Sequence, residues 1–128
     1  MADSPSVIFS DSDALIGDIE FVFRDRHDFV SSESIGWVRR YLLSHNVKLV
    51  IADMDMKIAD QTAVLNQLRD LGEHEPALLI LVSESKKFKL EREFDMLGDF
   101  EHSVDWLIKP FSKNSLISTV GHLTAAAG

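Results

Sequence analysis

Cysteine is absent from the 128 residues, so neither a disulfide framework nor a thiolate metal site can be built, and a reducing compartment suits the chain. Proline (3) and glycine (6) are scarce, and the glycines form neither a Walker A loop nor a dinucleotide fingerprint, which leaves nucleotide binding without a motif. Long apolar runs are lacking as well. The longest, 77–82, has six residues, against the roughly 20 that a membrane-crossing helix needs. The opening Met1-Ala2-Asp3-Ser4-Pro5 has no basic region and no apolar stretch, so it does not read as a secretory signal. Positive charge is in short supply: 13 Lys and Arg face 21 Asp and Glu, and the net charge of -8 repels nucleic-acid phosphates and anionic headgroups. His27, His45, His74, His102 and His122 show no close pairing, which argues against zinc. The expectation is a cytoplasmic protein with no direct nucleic-acid contact and no membrane association.

What is present is a chain of one-domain size, 45% hydrophobic, long enough to bury roughly two thirds of its unfolded surface. Val7-Ile8-Phe9 is β-prone and runs into Ser10-Asp11-Ser12-Asp13, residues suited to a helix cap. Leu15, Ile19, Val22 and Phe23 then recur at helical spacing. A brief strand is expected over 27–30, and a helix carrying Ile35, Val38, Leu42 and Leu43 follows the caps at 31–34. The nearly unbroken apolar runs 48–52 and 78–82 suit strands covered on both faces. Between them, 60–71 reads as a crossover helix ended by Gly72 and Pro76. A charged helix over 86–100, a fifth strand over 104–108 stopped by Pro110, and a last helix capped by Ser112 complete the chain. Strands that alternate with helices demand a parallel sheet, here a five-stranded α/β sandwich of three layers. Residues 1–124 are read as the domain and 125–128 as a frayed tail.

In such an open sheet the ligand site lies beyond the carboxyl ends of the strands. The sequence places Asp11, Asp53, Ser83 and Lys109 there, after the first, third, fourth and fifth strands. Two carboxylates and a nearby carbonyl form a hard-oxygen set that suits Mg2+. A lysine and a hydroxyl opposite them supply what phosphoryl transfer asks of a protein, namely cationic and hydrogen-bonding groups on the developing charge. The pattern Ser83-Glu84-Ser85-Lys86 matches the Ser-x-x-Lys of serine acyl enzymes, but the companion motifs are missing.

These residues resemble the receiver domain of two-component response regulators, a CheY-like, flavodoxin-like (βα)5 fold. The segment from Leu49 through Asp53-Met54-Asp55-Met56 is similar to that family's third strand and phosphoacceptor. Asp60 matches its loop acid, Leu79-Ile80-Leu81-Val82-Ser83 its fourth strand and switch hydroxyl, and Asp105-Trp106-Leu107-Ile108-Lys109-Pro110-Phe111 its terminal Lys-Pro signature. The resemblance implies a non-enzymatic signalling module in which Asp53 accepts a phosphoryl group from a histidine kinase or phosphotransferase. It implies Mg2+ held by Asp11, Asp53 and the backbone carbonyl of Asp55, with Ser83 and Lys109 on the phosphoryl oxygens. It also implies a cis peptide at Pro110, Trp106 as the switch aromatic, and output to a downstream protein through the fourth helix, fifth strand and fifth helix. The family's adjacent acidic pair is read here as Asp11-Ser12, so Mg2+ binding is expected to be weakened unless Ser12 or Asp13 helps. Lys57, Ile58 and Gln61 also depart from the family's turn chemistry. The rival expectation is a pseudo-receiver, a protein-interaction scaffold that no longer uses phosphate.

Overall fold

The structure, a computed structural model, describes residues 5–56, 61–70, 76–96 and 104–127. Five strands and five helices alternate: β1 Ser6–Phe9, α1 Asp13–Val22, β2 Phe29–Ser32, α2 Ile35–Ser44, β3 Leu49–Asp53, α3 Gln61–Asp70, β4 Ala77–Ser83, α4 Glu84–Met96, β5 Val104–Lys109 and α5 Lys113–Ala127. The strands form one parallel sheet in the order β2-β1-β3-β4-β5. This is the flavodoxin-like (βα)5 architecture expected from the alternation. Asp60, Lys57, Ile58, His74 and His102, as well as Leu71, Leu97 and Phe100 of the anticipated helix faces, lie outside the described residues.

The central strands are apolar throughout because both of their faces are covered. Val7, Phe9, Val50, Ala52, Leu78, Ile80 and Val82 point to one side, where they pack with Val38 and Leu42 of α2, Leu65 and Leu68 of α3, and Leu90 and Phe94 of α4. The alternate residues Ile8, Leu49, Ile51, Leu79 and Leu81 meet Ile19 of α1, Phe23 just after it, and Leu116, Val120 and Leu123 of α5. Period-two alternation within a continuous apolar run thus builds two cores, one on each side of the sheet.

Element ends follow local chemistry. Ser12 and Ser34 are the N-caps of α1 and α2, their hydroxyls accepting from the Leu15 and Trp37 amides at 3.2 Å. Ser112 plays the same part for α5, accepting from Ser115 N at 3.0 Å. β2 lies two residues later than the apolar signal suggested, because pairing with β1 sets Phe29 opposite Ser6 and Ser32 opposite Phe9. α5 continues through Ala125, Ala126 and Ala127, where fraying was expected, in keeping with alanine's high helix propensity. No helix among the described residues is long and apolar enough to cross a membrane.

Candidate functional site

Sheet order reverses direction between β1 and β3, and the crevice at that point is where an open α/β sheet presents its ligands. Register decides which side chains arrive there. Phe9 pairs with Ala52, so the next residues, Ser10 and Asp53, lie side by side. On the other flank Asp53 pairs with Leu81 and Ser83 pairs with Lys109, which brings the ends of β4 and β5 to the same rim.

Asp53 is only 3% exposed, an unusual setting for a carboxylate, and each of its oxygens accepts from protein donors. Oδ1 accepts from Lys109 Nζ at 2.7 Å and from the Asp55 amide at 3.0 Å. Oδ2 accepts from the Ser10 hydroxyl at 2.7 Å, and Ser10 Oγ in turn accepts from the Ser12 amide at 3.1 Å. Three donors, one of them charged, offset the desolvation of this buried anion.

Asp55 enters the site through its side chain as well as its backbone. Its Oδ1 accepts from the Ser83 amide at 3.1 Å, its Oδ2 lies 3.3 Å from Lys109 Nζ, and Lys86 of α4 approaches Oδ1 at 3.9 Å. Partial burial works against ionisation of Asp55, yet the Ser83 amide hydrogen bond, the Lys109 charge and the Ser83 and Lys109 side-chain hydrogen bonds together hold its carboxyl below the usual carboxylate range. Lys109 therefore bridges two carboxylates from the far side of the crevice. The Lys109–Pro110 peptide bond is cis.

The structure brings Asp53, Asp55, Ser83 and Lys109 together and revises the end of β1. Strand one stops at Phe9, so the pair that follows it beside Asp53 is Ser10-Asp11 and not Asp11-Ser12. Ser12 serves as the α1 cap and Asp13 is the exposed first residue of that helix. Asp11 is exposed and accepts no hydrogen bond among the described residues. Ser83 turns its hydroxyl to Ser85 Oγ at 3.3 Å while its amide serves Asp55. Trp106, opposite Ile80 in the register, packs edge-on against Phe94 with ring centroids 6.0 Å apart and is partly buried against the core beneath α2–α4.

Ser10 and the Asp55 side chain were not singled out from the sequence, and Lys86 stood out only in the Ser-x-x-Lys pattern, not as a neighbour of this crevice. Ser10 was within reach: three apolar residues in β1 paired with the run that ends at Ala52 leave Ser10 as the neighbour of Asp53. Lys86 carried no comparable signal, because its role depends on α4 beginning directly after Ser83.

No protein-family model and no curated relative matches the sequence. Solved structures do. Chemotaxis protein CheY4 of Vibrio cholerae superposes with a TM-score of 0.75 at 17% identity, over 95% of this chain and 99% of its own. The N-terminal signal receiver domain of a Bacteroides fragilis response regulator gives 0.76 at 15%, over 99% and 98%. The fold is that of a CheY-like receiver domain. A third receiver domain, from a sensor histidine kinase of Pseudomonas aeruginosa, matches with a TM-score of 0.73 at 14% identity, over 97% and 99%, and holds a magnesium ion in its active-site cleft.

A divalent cation is the group this fold implies. Among the described residues no three His, Cys, Asp or Glu side chains close around a metal. An open set remains: Asp53 Oδ2, which receives a single hydrogen bond from the protein, the unengaged Asp11 carboxylate one residue past Ser10, and the Asp55 carbonyl. Hard oxygens few in number, completed by water, are what Mg2+ takes, so the donor set fits.

Proposed function

We propose that this chain is a receiver of two-component signalling whose Asp53 accepts a phosphoryl group from a histidine kinase or phosphotransferase and which signals by altered protein binding. The observation that carries the reading is the 2.7 Å contact between Lys109 Nζ and a nearly fully buried Asp53 at the sheet's switch point. A buried acid held by one lysine from a different strand is what an in-line phosphoryl acceptor requires: an oxygen fixed in place and a cation ready for the incoming charge.

In the transfer, an Asp53 carboxylate oxygen forms the bond to phosphorus as the phosphorus–nitrogen bond of a phosphohistidine breaks, and the departing imidazole retains the electron pair and is protonated. Lys109 and the Asp55 amide hold Oδ1 and the Ser10 hydroxyl holds Oδ2, so both oxygens of the acceptor are fixed in place. Lys109 and the Ser83 hydroxyl would contact the phosphoryl oxygens in this reading. Mg2+ bound by Asp11, Asp53 and the Asp55 carbonyl would supply charge neutralisation for the same oxygens. The chain turns over no substrate of its own in this reading. The output passes to a downstream protein through α4, β5 and α5, with Trp106 as the aromatic that responds and residues 1–124 as the working domain.

Incubation with Mg2+ and acetyl phosphate tests the proposal. Intact-mass analysis should show one phosphoryl adduct in the wild type and none in Asp53→Asn. An unmodified wild type, under conditions that label a control receiver, rules it out. The second reading is a scaffold that dispenses with phosphate. It draws on one observation, the Ser10 hydroxyl standing beside Asp53 where the family's pattern has an acid. A negative labelling result favours it.

A further inference from the structure

Two lysines, not one, face the carboxylates of the crevice. Lys109 is bound tightly, at 2.7 Å from Asp53 and 3.3 Å from Asp55. Lys86 comes from the opposite direction, out of the first turn of α4, and stops 3.9 Å from Asp55 Oδ1 with its side chain still 40% exposed. Its neighbour Lys87 is committed elsewhere, to Glu91 at 2.8 Å one turn along the helix.

Charge bookkeeping shows what this second lysine does. Asp53 and Asp55 are balanced by Lys109 and Lys86, and Ser10 contributes a hydroxyl where an acid would have added a further negative charge. The crevice is neutral without any bound ion, and only the exposed Asp11 leaves an excess of one. A divalent cation held in part by the Asp55 carbonyl would share that residue with the Lys86 ammonium, which approaches its carboxylate at 3.9 Å, and two cations gathered at one residue repel.

We propose that Lys86 is a tethered counter-ion that competes with divalent metal for the Asp53–Asp55 end of the crevice and so sets the Mg2+ affinity of this receiver. It rests on the reading of Asp11, Asp53 and the Asp55 carbonyl as the cation-holding set. The contact is long and the lysine side chain 40% exposed, so the ammonium can swing away when metal arrives, at a cost in affinity rather than as a block. Occupancy by Mg2+ then releases the Lys86 side chain from Asp55, linking the ion to the helix that carries Phe88 and Met96 on its outer surface.

Calorimetric titration of the unphosphorylated full chain with MgCl2, at fixed moderate ionic strength, is the test. Lys86→Ala should tighten Mg2+ binding by about three- to tenfold relative to wild type, the range expected from removing one partly screened charge near the ion. Lys86→Arg should stay near wild type. Lys87→Ala changes the net charge equally on the adjacent residue and should move the affinity by less than about twofold, since screening weakens a charge that faces away. Equal shifts in Lys86→Ala and Lys87→Ala overturn the proposal, as does the absence of Mg2+ binding in every variant. Because the readout is metal affinity alone, a chain whose Asp53 resists acetyl phosphate but whose Lys86→Ala variant binds Mg2+ more tightly would defeat the phosphoacceptor reading and leave this one standing.

Discussion

Asp53 and its three donors concentrate the energetics of the crevice in a few atoms. Removing Lys109 strands a buried carboxylate with two neutral donors, and Lys109→Met should lower unfolding stability by about 2–4 kcal/mol. On an Asp53→Asn background the same substitution should cost much less, a difference that denaturant melts of the four-variant cycle would measure. Ser10→Asp places a second acid against Asp53 Oδ2. Its midpoint of thermal unfolding should drop in metal-free buffer and recover on addition of Mg2+, whereas the wild type should respond weakly. Asp55 titrates below the ordinary carboxylate range in the folded chain, so its contribution to stability is present above the unfolded-state pKa and disappears as the pH falls through the lower, folded value. Asp55→Asn should therefore flatten the acid limb of a stability-versus-pH curve measured between about pH 5 and pH 2.

The starts of α1, α2 and α5 are set by serines, and the same residue type was hard to sort in the sequence. Ser34→Ala deletes the acceptor for Trp37 N and should destabilise the chain by about 1 kcal/mol in urea melts. The central strands and α1, α2, α3 and α5 were legible because their patterns are dictated by burial on one face or two. Edge positions were not. β2 borrows its register from β1, and the four residues 10–13 offered several interchangeable turn and cap formers, so only pairing with β3 separates Ser10, turned onto Asp53, from Ser12, spent on the helix. The family pattern pulled the reading one residue too far by looking for acids, when the residue that reaches Asp53 is a hydroxyl. α4 posed the opposite problem. Its outer stripe carries Phe88 at 79% and Met96 at 76% exposure, so apolar residues there do not mark the buried face, which belongs to Leu90 and Phe94.

Taken whole, the molecule is an acidic shell around two apolar layers, with its cationic side chains either drawn into the crevice or dispersed over the surface. At physiological ionic strength it should not retard duplex DNA in a gel, and a retarded band would contradict the charge argument. The two layers meet the sheet from opposite sides, so truncations on either side, Leu68→Ala beneath α3 or Leu116→Ala beneath α5, should each cost about 2–5 kcal/mol. The placement of the two tryptophans has a practical corollary. Trp37 lies stacked on Tyr41 at 4.9 Å, far along the chain from the crevice, while Trp106 sits on the strand that ends in Lys109 and leans on α4 through Phe94. Replacing Trp37 with phenylalanine preserves a ring against Tyr41 and leaves a single native indole whose emission reports the junction of β5 and α4, so the chain comes supplied with an unlabelled optical gauge of any movement at that seam.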